Sequence, residues 1–322
     1  MDATQVAGRC LSPQYGFCMQ DADSGSDRAD VPLAFERNST SESTWPSPSS
    51  FFLSDIFWLH SGRNASSFPS SLVKSEDVLA HIREISDDRY EGRDSPSRGL
   101  DLAADYIRGV AEMYGLRGAG PDSSFYQSFS IYGFSPHGAH KSSSAAGGKG
   151  RAPDSYGTKL FEYAVHEDEL EVRKSRTPAA KVSFFKWGKA NNVVGMLEGS
   201  DSKLKDEYII VSAHYDHIGT RSRGEDRIYN GADDNASGSA VLMGILPALK
   251  EMAKRGMGPK RSVIFIWTAA EEKGLLGADY YRRHPLRPIS KTKAAINVDM
   301  VARLSADRIS VCDIDRKGKP SF

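Results

Sequence analysis

Residues 207–217 read EYIIVSAHYDH, an apolar and β-branched run that ends in two histidines around an aspartate. The run 207–213 has the length and composition of a buried strand. In open α/β sheets, ligands bind outside the carboxyl ends of the strands. His214 and Asp216 are two residues apart, so their side chains point the same way in an extended segment. This stretch therefore predicts one strand of an α/β sheet that leads into a functional site.

Similar strand-like runs lie at 192–197, 261–268 and 293–298, and helical patterns lie at 234–254 and 274–283. Upstream, amphipathic patterns predict helices over 75–85 and 100–114. Apolar strands that alternate with helices indicate a sheet covered on both faces. We therefore expect a three-layer α/β/α domain with a mostly parallel mixed central sheet.

Three further polar clusters follow a strand-like run or open the helix after one: GADDNASG at 231–238, TAAEEKG at 268–274 and NVDM at 297–300. Histidines and carboxylates are the usual nitrogen and oxygen ligands of zinc. The pair 233–234 offers a carboxylate that can bridge two metals, and the pair 271–272 offers one ligand and one proton-transfer group. Alone, each cluster is most simply a turn or a helix cap. Together, at consecutive strand ends, they predict a metal site.

Four segments, in this order, resemble the co-catalytic di-zinc exopeptidase family: SAHYDHIG at 212–219, GADDNASG at 231–238, AAEEKGLLG at 269–277 and NVDMV at 297–301. That family includes bacterial leucyl aminopeptidases, glutamate carboxypeptidase and the transferrin receptor ectodomain. The upstream segment EGRD at 91–94 is similar to its bacterial aminopeptidases. The likeness covers about residues 75–312.

The resemblance implies a site for two zinc ions per complete domain. His214 and Asp299 would bind one zinc ion, and Glu272 would bind the other. Asp233 would bridge them, with a cis peptide bond between Asp233 and Asp234.

The resemblance also assigns the residues around the metals. Glu271 would be the general base, and Asp216 would orient His214 by accepting its second ring N–H. His217 would have no ligand role.

The implied function is that of a metallo-aminopeptidase, in which a zinc-activated water and a glutamate base release N-terminal residues from a peptide with a free N-terminus. One alternative is a carboxypeptidase for acidic dipeptides, but the stretch 129–191 is short for the inserted domain that such enzymes usually carry. Another is a receptor-like, non-catalytic binding protein of the same fold. A one-zinc, glutaminyl-cyclase-like protein fits least, because the carboxylates for a second metal are present.

The composition and charge of the chain limit the classes of binding partner that we expect. The chain has 42 Lys and Arg against 42 Asp and Glu, so it lacks the basic excess of nucleic-acid or membrane-surface binders. No apolar run is long enough to predict a membrane span, and three cysteines do not make a disulfide framework. The family suggests an extracytoplasmic or secreted location, although no signal peptide is visible. Nothing in the sequence fixes the oligomeric state.

The ends of the chain carry separate expectations. Residues 1–74 are rich in Ser, Asp and Pro, which predicts a disordered tail before a peptidase domain at 75–322, and residues 135–157 read as a flexible loop. The resemblance implies a final histidine ligand well downstream of Asp299, but none of the eight histidines follows that residue. We therefore expect a C-terminally incomplete domain that binds at most one zinc ion tightly and has little activity.

Overall fold

The computed structural model describes residues 70–135, 162–164 and 183–303. Nearly all of the predicted tail at 1–74 and the C-terminal stretch from residue 304 lie outside the described residues, as does the predicted loop at 135–157 except Ser135, which ends a strand. Within the described part, no helix has the length and apolar character that a membrane span requires.

A mixed seven-stranded sheet forms the centre of the described structure, in the order β3-β2-β4-β6-β5-β7 with β1 beside β4. The strands are β1 Arg117–Gly118, β2 Tyr126–Ser135, β3 Glu162–Ala164, β4 Ser183–Leu197, β5 Tyr208–His214, β6 Ser262–Thr268 and β7 Thr292–Asn297. β5 lies between β6 and β7 and runs parallel to both, whereas β4 pairs antiparallel with β6. The parallel part of the sheet therefore consists of the strands that lead into the predicted metal clusters.

Five α-helices accompany this sheet in the described residues: α1 Ser75–Ile85, α2 Arg98–Met113, α3 Gly238–Gly244, α4 Leu246–Lys254 and α5 Leu276–Arg283. The Ser97 side chain caps α2 by accepting the N–H of Leu100, and Gly115 follows the helix with a φ of +87°. The predicted helix at 234–254 differs in two ways: residues 232–237 form an irregular π-type turn before α3, and Ile245 separates α3 from α4.

Strand β6 shows why the fold is layered, since all seven of its residues are buried. Val263, Phe265 and Trp267 join the larger core, which also contains apolar side chains of α1 to α4. Ile264 and Ile266 face the opposite side, where the core includes Tyr281 of α5. Burying a side chain of this size contributes about 1.5–3 kcal/mol. Helices therefore cover both faces of the sheet, and the predicted three-layer α/β/α architecture is confirmed.

The parallel strands end side by side. His214, the last residue of β5, pairs with Thr268 at the end of β6, and Ser212 pairs with Asn297 at the end of β7. The segments that follow these three strands therefore leave the sheet at one edge, as the sequence pattern predicts.

Candidate metal centre

Two groups of possible metal ligands meet at this edge of the sheet. The first, which we name the His214 group, contains His214, Asp234 and Asp299. The second, the His217 group, contains His217, Asp234 and Glu272. In each group, ligand atoms from all three residues lie within 4.8 Å of one another. Asp234 belongs to both groups, so one carboxylate lies where it can face two metal ions.

The His214 group has the dimensions of a zinc site. The Nε2 atom of His214 lies 3.2 Å from Oδ1 of Asp234 and 3.4 Å from Oδ1 of Asp299. Two tetrahedral ligands, each about 2.0–2.1 Å from a zinc ion, lie about 3.3 Å apart. The His214 side chain is 3% exposed, whereas that of Asp299 is 42% exposed. The group is therefore anchored in the protein on one side and open to solvent on the other.

The His217 group contains one closer contact. The Nδ1 atom of His217 lies 2.7 Å from Oε1 of Glu272, which is a direct hydrogen-bond distance. Both side chains are largely buried, at 13% and 21% exposure. Three protein ligands with room for a water molecule is the composition of a catalytic zinc site, and each group offers three. The residues present therefore fit zinc.

Asp233, which the sequence pattern selects as the bridge, does not join either group. Its Oδ1 accepts the N–H of Ala302 at 2.9 Å, and its Oδ2 lies 3.4 Å from Nε of Arg303. Its carboxylate thus fixes the segment after Asp299 and is not available to the cluster. Asp234 occupies the shared position instead.

The predicted position of the cis peptide bond is also wrong by one residue. The bond lies between Asp234 and Asn235, not between Asp233 and Asp234. Asn235 is fully buried; its Nδ2 donates to the carbonyl oxygen of Val298, and its Oδ1 accepts the N–H of Met300. These two hydrogen bonds connect the segment that carries Asp234 to the segment that carries Asp299.

Asp216 supports both groups. It is fully buried, and its two carboxylate oxygens accept the backbone N–H groups of Glu271 and Glu272 at 3.0 and 3.3 Å. Its Oδ1 lies 3.6 Å from Nδ1 of His214, which is longer than a hydrogen bond, while its backbone oxygen lies 3.2 Å from that nitrogen. The hydrogen bond that the sequence analysis expected between the His214 ring and this carboxylate is therefore not formed, and the contact of Asp216 with the 271–272 turn was not foreseen.

Burial and neighbouring charges shift the pKa values of two residues in the site. Burial is the main cause that raises the pKa of Glu271 to about 7. His214 acts to lower this pKa, and the negative charges of Asp216 and Glu272 act to raise it. A carboxyl group with such a pKa exchanges protons readily near neutral pH.

His214 shows the opposite balance. Burial lowers its pKa, but the carboxylates of Asp216, Asp234 and Asp299 outweigh burial and hold that pKa well above its ordinary value. The pocket thus favours a positive charge at the position that the carboxylates surround.

Arg93 organises the backbone around the site, and sequence reasoning assigned it no role. It is fully buried and donates hydrogen bonds to the carbonyl oxygens of Ile85, Tyr215, Asn230 and Gly231. Burial lowers its pKa to about 10, so it remains a cation at neutral pH. It therefore joins both ends of the loop 215–231, which contains His217. Its only sequence signal was the EGRD segment at 91–94.

Comparison with known proteins finds similarity for the part of the chain that carries the site. Residues 192–319 match the model of peptidase family M28. A probable leucine aminopeptidase of Arthroderma otae is 31% identical over 146 residues, which cover 45% of this chain and 38% of that protein. A probable glutamate carboxypeptidase of Arabidopsis thaliana is 35% identical over 112 residues, which cover 34% of this chain and 15% of that protein. The chain thus matches well under two thirds of either relative.

Among solved structures, a zinc aminopeptidase from Bacillus subtilis is similar to this chain with a TM-score of 0.43 and 16% sequence identity. The similarity covers 71% of this chain and 70% of that one.

Proposed function

Because residues 192–319 match the model of peptidase family M28, we propose that this protein is a zinc-dependent aminopeptidase that releases N-terminal residues from peptides. One observation carries the proposal: the carboxylate of Asp234 is shared by two groups that each contain one histidine and one further carboxylate. A carboxylate between two metal positions is what a two-zinc hydrolytic site requires. The names of the relatives support the choice of peptide bonds as the substrate class.

In this proposal, His214 and Asp299 would hold one zinc ion, Glu272 would hold the other, and Asp234 would be shared by the two positions. Asp234 takes the bridging role that the sequence pattern gave to Asp233. Zinc ions in such a site lower the pKa of a bound water toward about 7 and polarise the peptide carbonyl group.

Glu271 is the proposed general base. It directly precedes the ligand Glu272, and its pKa of about 7 suits a group that takes a proton from water and returns it to the leaving amine. Asp216 holds the backbone of both glutamates, so it acts as a positioning residue for the base as well as for His214. The free N-terminus of the substrate follows from the family resemblance and the aminopeptidase relative.

A carboxypeptidase that acts on acidic dipeptides is the second candidate, because one relative is named a probable glutamate carboxypeptidase. The receptor-like alternative is less well supported, since such proteins have lost ligand residues, whereas His214, Asp234, Glu272 and Asp299 are all present in this chain.

The test is a Glu271→Gln variant assayed on a panel of aminoacyl-p-nitroanilides and on acidic dipeptides, with zinc content measured on the same samples. We expect the variant to lose about 10²–10⁴-fold in kcat, the usual contribution of a general base, and to keep its zinc. Glu112→Gln, at an exposed position of α2, is the matched control and should be unchanged.

Three results would contradict parts of the proposal. Unchanged turnover in Glu271→Gln would show that Glu271 is not the general base. Loss of zinc together with turnover would show that Glu271 is a ligand. Hydrolysis of acidic dipeptides without release of p-nitroaniline would favour the carboxypeptidase.

A further inference from the structure

We propose that His217 is itself a zinc ligand, the nitrogen donor of the second metal position beside Asp234 and Glu272. The inference deepens the proposed function, because it concerns the same pocket. It departs from the family pattern, which gives His217 no role and expects a histidine downstream of Asp299 instead.

The first support is the composition of the group. Of the histidines in residues 70–135, 162–164 and 183–303, His214 and His217 each lie in a group with two carboxylates, whereas His81 and His284 do not. His81 contacts the hydroxyl of Tyr106, and the His284 ring packs on Tyr280. His217 therefore supplies the second position with the nitrogen donor that His214 supplies to the first.

The second support is the way the backbone holds the imidazole in place. The N–H of His217 donates to the carbonyl oxygen of Arg93 at 3.1 Å. The ring lies against Gly231, where a Cβ atom would come within 2.6 Å of the ring atoms Cγ and Cδ2. Gly231 also has a φ of +59°, a conformation that favours glycine. The ring thus occupies a cradle that any larger residue at 231 would fill, directly before the bridging segment.

The competing reading is a plain ion pair between His217 and Glu272. Their 2.7 Å contact is shorter than the spacing of about 3.3 Å between two tetrahedral zinc ligands, so zinc binding must open it by about 0.6 Å. An ion pair alone, however, does not account for the third ligand, Asp234, within reach of both side chains. The shared carboxylate is the reason that we assign a metal position here.

The assignment changes the expected stoichiometry. The sequence pattern alone predicts at most one tightly bound zinc ion in this chain, whereas two groups of three ligands predict two. The difference can be measured without any enzymatic turnover.

The experiment compares zinc per chain, by mass spectrometry after dialysis against a weak chelator, in the wild-type protein, His217→Gln, His217→Ala and the control His81→Gln. We expect two zinc ions per chain in the wild type and the control, and one in both His217 variants. Glutamine preserves a hydrogen bond to Glu272 but is a poor zinc ligand, so it separates the two readings. Two zinc ions retained with unchanged affinity in His217→Gln would overturn the proposal, as would a wild type that binds only one.

X-ray absorption at the zinc edge of the wild-type protein gives an answer that does not depend on how the variants fold. With His214 and His217 both bound, the two-zinc form should show on average one imidazole per zinc, and half that value would overturn the proposal. Absence of peptidase activity with two zinc ions bound would instead count against the proposed function and leave His217 as a ligand. Activity in His217→Gln with two zinc ions retained would support the proposed function and overturn the assignment of His217 as a ligand.

Discussion

The two ligand groups differ in how the chain builds them. The His214 group lies at the end of a buried strand, and its histidine is 3.2 and 3.4 Å from its carboxylate partners. The His217 group lies three residues further on, in a loop, and its histidine and glutamate are in direct contact at 2.7 Å. The ligand atoms of the His214 group are thus already spaced as they would be around a zinc ion. In the His217 group, by contrast, the histidine and the glutamate are hydrogen-bonded to each other.

Different supports hold the two halves. The Ser239 hydroxyl of α3 donates to the carbonyl oxygen of His214, and the indole N–H of Trp267 donates to the carbonyl oxygen of Ser239. These contacts lock His214 to the helix layer. His217 depends on Arg93, which contacts both ends of its loop, and on the space that Gly231 leaves. Asp234 connects the halves, so the comparison can be tested at the link and at each support.

The largest effect, on zinc affinity, is expected at Asp234, which belongs to both ligand groups. Asp234→Asn should weaken zinc binding at both groups by more than about 100-fold, because even residues behind the ligands contribute about 10–100-fold to metal affinity. Asp233→Asn is the matched control; it should retain the zinc, since the Asp233 side chain contacts Ala302 and Arg303. Chelator competition measures both affinities. A larger loss in Asp233→Asn than in Asp234→Asn would restore the assignment from the sequence pattern.

The next largest effect is expected at the support of the loop. Arg93→Met leaves four backbone carbonyl groups without their buried cationic donor, so it should lower the free energy of unfolding by about 3–5 kcal/mol. The zinc of the His217 group should be lost before that of the His214 group. Urea unfolding measures the first quantity, and zinc titration measures the second.

The control for Arg93→Met is Arg98→Met. The Arg98 side chain is 73% exposed and lies 3.6 Å from Glu91, so its loss should cost under about 0.5 kcal/mol. Equal effects of the two substitutions would mean that Arg93 does not hold the loop.

The smallest of the three effects is expected at Asp216, which supports both halves without binding metal. Asp216→Asn replaces one acceptor oxygen with an N–H₂ group facing the backbone N–H groups of Glu271 and Glu272. We expect a loss of about 10–100-fold in zinc affinity at both groups, the range for residues behind metal ligands. A loss confined to the His214 group would show that Asp216 acts on His214 alone.

Much of this arrangement could be predicted from the sequence, because strands and their ends follow from local patterns. The runs at 207–213, 261–268 and 293–298 correspond to β5, β6 and β7 within one or two residues. The pairing of β5 with both neighbours then brings His214 and Asp299 together.

The choice between Asp233 and Asp234 could not be predicted in the same way. Both lie in an irregular turn, where Asp234 has φ −103° and ψ 102°, so helical periodicity does not say which carboxylate faces the sheet. His217 and Arg93 escaped prediction for a related reason. Their positions depend on contacts between the loop 215–231 and the turn at 88–93, which are distant in sequence.

A crystal structure of the zinc-soaked protein, with anomalous data collected at the zinc edge, would show directly whether Asp234 is shared by two zinc ions. We expect two anomalous peaks about 3.5–4 Å apart on either side of the Asp234 carboxylate, one next to His214 and the other next to His217. A single peak next to His214, with His217 still hydrogen-bonded to Glu272, would contradict this expectation, and so would a peak bound by Asp233.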